Sequence, residues 1–176
     1  MYKIQDKGFS LLELLVVIVI IAILFTFTTL AIRGTSPEEL IQTEAKRLDR
    51  LVQLALEEAI LKGNEYGVEF SPDSYRFLLY IENTWQPLDA DKLLRTRQLP
   101  ENMEFELEIE QIDVLIEEDS NTDEEDEDKP RPQVFLLSSG EITPEFSVRL
   151  VMPGIDTSYI VSGTINGEHK AEISEL

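Results

Sequence analysis

The chain has 176 residues, with 35 acidic against 15 basic side chains, a formal net charge of −20 and no cysteine. Such an acidic surface repels phosphate backbones, whereas proteins that bind nucleic acid carry a basic patch, so we expect no nucleic-acid partner. The charge also disfavours docking on anionic lipid headgroups, and the lack of cysteine excludes disulfides. There is room for one modest globular domain besides a membrane segment.

One long apolar run lies near the N-terminus. From Phe9 to Ile32 an α-helix would rise about 36 Å, enough to cross a hydrocarbon core of roughly 30 Å. The run is too long for a cleavable secretory signal, and no A-x-A cleavage pattern follows it. Lys3 and Lys7 precede it and belong on the cytoplasmic side by the positive-inside rule. We predict a single transmembrane helix over residues 9–33, with the N-terminus cytoplasmic and the C-terminal part across the membrane.

A single carboxylate, Glu13, interrupts the apolar run. Holding a charge in hydrocarbon costs roughly 2.5–3.5 kcal/mol on insertion scales. A residue of this kind is therefore interpreted as functional and as needing a partner of opposite charge.

The residues around Glu13 resemble a known processing signal. The leader ends in Gly8 and continues Phe-Ser-Leu-Leu-Glu-Leu, which is similar to the class III signal of type IV pilins and type II secretion pseudopilins. The resemblance implies that a prepilin peptidase removes residues 1–8 by cutting after Gly8, and that the new amino terminus, Phe9, is methylated. It also implies that the Phe9 amine pairs with Glu13 inside the bilayer and sets the register of subunits in a filament.

The next element, over residues 34–63, is predicted to be an amphipathic helix. Ser36-Pro37-Glu38-Glu39 supply an N-cap, a first-turn proline and a capping-box glutamate. Apolar residues from Ile41 to Ala59 recur at spacings of three and four, and Gly63 ends the helix. The alternative, a coiled-coil seam, needs more heptads than this segment offers. We expect one face to pack on a sheet.

The remaining part, residues 64–176, is predicted to be rich in strands. The predicted strands are Tyr66 to Phe70, Tyr75 to Ile81, Met103 to Ile109, Gln133 to Leu137, Phe146 to Val151, Ser158 to Thr164 and His169 to Ile173. Asn166-Gly167 predicts a type I′ hairpin turn between the last two. Four aromatic residues, Tyr75, Phe77, Tyr80 and Trp85, are expected in the core. The predicted fold is of the α+β class and pilin-like: a long N-terminal helix packed on antiparallel sheet.

An acidic loop over residues 117–132 interrupts the strand pattern. Dense like charge without apolar residues cannot pack, so a solvated insertion is expected. The alternatives are contact with a partner and calcium binding, which some pseudopilins show. The calcium candidates are Asp123, Glu125, Asp126 and Asp128. An EF-hand-like loop would need a glycine at its turn, and none is present, so we expect no cofactor.

No catalytic constellation is visible in the sequence. His169 is the one histidine, and the chain lacks the cysteine or second histidine that would complete a zinc site. Neither a nucleophile elbow nor a glycine-rich phosphate loop occurs. We therefore expect no enzymatic activity.

Several later segments resemble the H-type minor pseudopilins of type II secretion. They are Glu44-Ala45-x-Arg47-Leu48, Leu54 to Gly63, Glu65 to Phe70, Ser74 to Phe77, Trp85 to Leu88, Arg97-x-Leu99-Pro100 and Leu137 to Pro144. The resemblance implies a structural subunit near the tip of a periplasmic pseudopilus, held in the bacterial inner membrane, that supports export of folded proteins across the outer membrane. It implies partners among the major and minor pseudopilins, the prepilin peptidase and the inner-membrane assembly platform. The alternatives are a minor pilin of a type IV pilus and a membrane-anchored binding module.

Overall fold

The computed structural model describes residues 10–31, 36–114 and 130–175. The chain divides into two compact units, residues 1–35 and 36–176. The predicted leader, Phe9, and the acidic loop up to residue 129 lie outside the described residues.

The described part of the first unit is helix α1, Leu11–Ala31. Ser10 begins it: its hydroxyl accepts a hydrogen bond from the Leu12 amide at 3.2 Å, and its carbonyl accepts one from the Leu14 amide at 3.1 Å. The helix lies within the predicted segment 9–33, and its side chains from Leu11 to Leu24 are exposed. None of the helices among the described residues has the length and hydropathy that a membrane crossing requires.

The second unit begins with helix α2, Pro37–Lys62, inside the predicted range 34–63. The predicted capping box is confirmed: the Ser36 hydroxyl accepts from the Glu39 amide at 3.2 Å, and the Glu39 carboxylate accepts from the Ser36 amide at 3.4 Å. Gly63 ends the helix in the left-handed conformation that favours glycine, with φ 67°. These contacts satisfy backbone groups that a helix leaves unpaired at its ends.

In the described ranges after α2 there are eleven strands: β1 (Tyr66–Ser71), β2 (Ser74–Ile81), β3 (Thr84–Pro87), β4 (Arg97–Gln98), β5 (Glu104–Ile109), β6 (Ile112–Val114), β7 (Val134–Leu136), β8 (Ile142–Thr143), β9 (Phe146–Val151), β10 (Thr157–Gly163) and β11 (His169–Glu175). They form two sheets, both antiparallel as predicted. The first has the order β3-β2-β1-β7-β8, with β4 also paired to β2, and the second has the order β11-β10-β9-β5-β6. All seven predicted strands are present, whereas β3, β4, β6 and β8 were not predicted.

The core lies between α2 and the inner faces of the two sheets. The helix packs on β10 and β11 of the second sheet and also touches β1, β7 and β9. Fully buried side chains come from all three layers: Ile41, Leu48 and Val52 from α2, Val68, Phe77 and Leu136 from the first sheet, and Val148, Leu150 and Val161 from the second. Tyr75 and Phe77 occupy the core as predicted.

The prediction for Trp85 and Tyr80 was wrong. Both lie on the outer face of the first sheet, where Trp85 packs on Tyr80 with ring centroids 5.0 Å apart and on Phe135 at 5.6 Å. They point outward because successive side chains of a strand alternate between faces, and Tyr75 and Phe77 already occupy the inner face of β2. Gly67 makes room for this cluster, since a Cβ atom there would lie 2.6 Å from Pro132 Cβ and 3.1 Å from Trp85 Cζ3.

Candidate functional site

Glu13, the central residue of the predicted assembly site, lies in the first turn of α1. A carboxylate at this position is favourable because the N-terminal end of a helix carries a partial positive charge. Ser10, which caps the helix, was missed in the sequence, although Ser10 and Glu13 have the Ser-x-x-Glu spacing that marks helix N-termini. The carboxylate and the cap therefore define where α1 begins.

The side chains around Glu13 form an exposed apolar surface. Leu11 and Leu12 are 86% and 72% exposed, and the large apolar side chains that follow, as far as Leu24, are exposed on every side of the helix. A helix that is apolar all round is covered by lipid or by other helices. Gly8 and Phe9 lie outside the described residues, so cleavage, methylation and the Glu13 pair with the Phe9 amine stay predictions.

The metal candidates Asp123, Glu125, Asp126 and Asp128 also lie outside the described residues. Within the described ranges, no group of three or more His, Asp or Glu side chains is placed to hold a metal ion. His169 has a different partner: its Nδ1 lies 2.7 Å from Asp49 Oδ1, which joins β11 to α2.

A buried charged network on α2 was not predicted from the sequence. Glu44 is only 2% exposed; its carboxylate accepts a hydrogen bond from the Tyr75 hydroxyl at 2.8 Å and another from Arg47. Burial raises the pKa of the Tyr75 hydroxyl, and the negative charge of Glu44 raises it further, so the hydroxyl remains a donor. The sequence did contain a signal for the burial of Glu44, because this residue lies between Ile41 and Leu48 in the apolar stripe of the helix.

A groove of about 510 Å³ lies at one end of the second sheet. The carboxylates of Glu108, Glu110 and Glu145 line it together with Phe146 and Ile165. Glu145 connects the surrounding turns: its carboxylate accepts from the Ile165 amide at 3.2 Å, and its carbonyl accepts from the Glu110 amide at 3.0 Å. The groove is an acidic, solvent-open surface.

Comparison with known proteins gives two family matches. The prokaryotic N-terminal methylation motif matches residues 4–29, and the type II transport protein GspH matches residues 44–167. The first match covers α1 as far as residue 29 and the segment around Gly8, Phe9 and Glu13. The second covers most of the unit built on α2.

Individual relatives agree with this match. The type II secretion system protein H of Pseudomonas aeruginosa is 33% identical over 151 residues, which cover 85% of each chain. The protein of the same name from Vibrio cholerae is 34% identical over 157 residues, covering 78% of this chain and 79% of the relative.

Two solved structures have the same fold. The minor pseudopilin EpsH from the type 2 secretion system of Vibrio cholerae superposes with a TM-score of 0.60 at 26% identity, covering 75% of this chain and 95% of that one. The solution structure of Escherichia coli GspH has a TM-score of 0.54 at 22% identity, covering 81% and 93% of the two chains, and supports the fold alone. The predicted α+β, pilin-like fold is confirmed. The GspH family model matches residues 44–167, and the relatives are similar to this chain over most of the chain's length. The chain therefore belongs to the GspH family of type II transport proteins.

Proposed function

We propose that the protein is a minor pseudopilin of a type II secretion system, a structural subunit near the tip of the periplasmic pseudopilus that supports export of folded proteins across the outer membrane. The observation that carries the proposal is the presence, in one chain, of the methylation motif at residues 4–29 and the GspH match at residues 44–167. Membership of this family implies assembly with other pseudopilins. We infer a structural role without catalysis or a resident cofactor.

The N-terminal segment is proposed to anchor the protein in the bacterial inner membrane. Its helix exposes large apolar side chains on all sides from Leu11 to Leu24, and Lys3 and Lys7 precede it. The lysines remain in the cytoplasm by the positive-inside rule, so the unit beginning at Ser36 is placed in the periplasm. The periplasmic unit would then meet the heads of neighbouring subunits.

Maturation and assembly are proposed to act on the same few residues. The prepilin peptidase cuts after Gly8, and methylation follows on the new amino terminus of Phe9. The Phe9 amine then neutralises Glu13 as the subunit leaves the inner-membrane assembly platform and joins major and minor pseudopilins. A misaligned subunit would leave the carboxylate unpaired in hydrocarbon, so this pair contributes to register more than to net stability.

Replacing Glu13 in the native host tests the pairing mechanism. In the Glu13→Ala variant we expect normal leader cleavage and normal recovery in the membrane fraction, with loss of chemical cross-links to the other pseudopilins. Val17→Ala is the matched control, because it shortens a side chain of the same helix without changing its charge. Normal cross-linking of Glu13→Ala would overturn the pairing mechanism.

Deleting the whole protein tests the function itself. We expect the deletion to reduce export of folded substrates through the type II system, and expression of the wild-type chain to restore it. Undiminished export from the deletion strain, together with no cross-link of the wild-type chain to any pseudopilin, would refute the proposed function.

A further inference from the structure

Three cations lie within five residues of α2, and a fourth, Arg97, lies on the strand next to β2, in a chain with a net charge of −20. Lys46, Arg47 and Arg50 are exposed on consecutive turns of α2. Arg97 stands opposite Tyr75 in the pairing of β4 with β2, so its side chain lies on the same face of the sheet as that of Tyr75. Arg47 lies close to the Tyr75 hydroxyl as well, because both donate to the carboxylate of Glu44. We call Lys46, Arg47, Arg50 and Arg97 the basic face.

Two members of the basic face are held in place by the fold. Arg47 donates to the buried carboxylate of Glu44, which the Tyr75 hydroxyl also holds. Arg97 donates through Nη2 to the Leu93 carbonyl at 2.9 Å, and its buried Nε has no hydrogen-bond partner among the described residues. A guanidinium that is already ordered loses less conformational freedom when it binds an anion.

The other two members contribute nothing visible to the stability of the folded unit. Neither Lys46 nor Arg50 forms an ion pair with any described residue, whereas Lys62, Arg149 and Lys170 each pair with a glutamate. Lys46 and Arg50 also stand four residues apart on an exposed helix face, where like charges repel and destabilise the helix. An anion bound on this surface would attract both cations and offset the repulsion between them.

We propose that the basic face binds a carboxylate-bearing strand on the head of the neighbouring pseudopilin in the fibre; this inference rests on the proposed function. Four residues of α-helix rise by about 6 Å, which separates Lys46 from Arg50 along the helix axis. Alternate residues of a strand lie about 7 Å apart on one face. Acidic side chains at alternate strand positions therefore match the spacing of the two cations.

A strand of this kind occurs in this fold. On β5, Glu104, Glu106 and Glu108 alternate with the buried Phe105 and Leu107, so the outer face of the strand carries a row of carboxylates. A related head with a comparable strand presents the chemistry that the basic face fits. The other anionic surface near an anchored subunit is lipid headgroups, which the overall charge of −20 repels.

Co-purification tests the proposal with the full-length chain. The chain is co-expressed in turn with each of the other pseudopilins of its secretion system, and complexes are recovered from detergent. We expect recovery of the cognate complex to fall about tenfold in Lys46→Gln/Arg50→Gln and further in Lys46→Glu/Arg50→Glu. Recovery of the wild-type complex should fall between about 0.05 M and about 0.5 M salt, and the Gln variant should lose that dependence. An acidic-to-lysine change on the partner strand should restore binding of the Glu variant.

Lys170→Gln is the matched control: Lys170 is an exposed cation on β11, and it points to the opposite face of that strand from His169, the residue that contacts α2. It should leave recovery unchanged. The melting temperature separates binding from folding: removing the repulsion between Lys46 and Arg50 should leave the melting temperature of the Gln variant unchanged or slightly higher. A lower melting temperature would mean that these cations stabilise the fold and would overturn the proposal.

The remaining outcomes are also decisive. Equal recovery of wild type and both double variants would overturn the basic face and leave the proposed function intact. Charge-dependent binding to vesicles containing phosphatidylglycerol, or charge-dependent dimers of this chain alone, would assign the face to lipid or to a second copy and overturn the proposal. If the wild-type chain co-purified with no pseudopilin, the proposed function would fail with it.

Discussion

The hydroxyl of Tyr75 is expected to stabilise the fold through the buried carboxylate of Glu44. The Tyr75→Phe change removes the donor of the 2.8 Å bond and leaves Glu44, which is buried, with Arg47 as its remaining partner. The ring itself keeps its packing, edge-on to Phe77 at 6.2 Å and to Phe105 at 5.9 Å. The substitution therefore removes a hydrogen bond without opening a cavity the size of a methyl group.

The magnitude follows from the charge and burial of the acceptor. A hydrogen bond to a charged group contributes roughly 1.5–3 kcal/mol, and water cannot replace the lost donor at a buried site. We expect Tyr75→Phe to lower the free energy of unfolding by about 2 kcal/mol. For a unit of this size that corresponds to a fall in Tm of roughly 6–8 °C.

Thermal and urea unfolding of the full-length chain in detergent, followed by circular dichroism, measure this effect. Tyr80→Phe is the control, because Tyr80 is 40% exposed on the outer face of the sheet. Removing its hydroxyl should lower the free energy of unfolding by less than about 0.5 kcal/mol. A double-mutant cycle with Glu44→Gln should give a coupling energy of about 1 kcal/mol or more. A Tyr75→Phe cost no larger than that of Tyr80→Phe, or a coupling energy near zero, would refute the role assigned to the network.

Three further predictions concern other parts of the second unit. Gly67→Ala should destabilise the fold by about 1–3 kcal/mol, because the new Cβ would lie 2.6 Å from Pro132 Cβ. The fluorescence of Trp85, the single tryptophan, should shift as well. An unchanged fluorescence spectrum and Tm would contradict the packing of Pro132 and Trp85 against Gly67. His169→Ala should cost about 1 kcal/mol and speed hydrogen exchange in β11, the edge strand that His169 joins to α2 through Asp49; unchanged exchange would count against this contact. The amides of Leu94 and Leu93 lower the pKa of Asp91, so the stabilisation from its ionised carboxylate is complete above the unfolded pKa near 4 and is lost as the pH falls through the lower folded pKa. Asp91→Ala should therefore lower Tm more at pH 7 than at acid pH, and an equal loss at both would refute the assignment.

Local chemistry explains which elements could be predicted from the sequence. The cap of α2 depends on Ser36 and Glu39, three residues apart, and the left-handed end depends on Gly63, so short-range sterics and hydrogen bonds decide both. The long strands alternate clearly; in β5 glutamates separate Phe105 from Leu107. The hairpin from β10 to β11 was predicted too, although Gly167 is the one residue of Asn166-Gly167 with a positive φ, so the turn is not of type I′.

The missed strands have unusual turns or very short lengths. β3 and β6 follow two-residue turns, Glu82-Asn83 and Glu110-Gln111, whose residues all have positive φ without any glycine. Type I′ turns favour Asn-Gly or Asp-Gly, so these sequences carry a weak hairpin signal. β4 and β8 have two residues each, too few for a period-two pattern.

The amino-acid sequence by itself determined the class of the protein and the order of its elements. Gly8, Phe9 and Glu13 form a contiguous motif, and helix periodicity, caps and strand alternation are properties of neighbouring residues, which the chain displays directly. Tertiary structure alone decided that the strands divide into two sheets, that Trp85 lies outside the core, and that Glu44 is buried against Tyr75. It also placed Arg97 opposite Tyr75, whose hydroxyl shares the Glu44 carboxylate with Arg47. Each of these outcomes depends on contacts between residues distant in the chain, which no local pattern encodes.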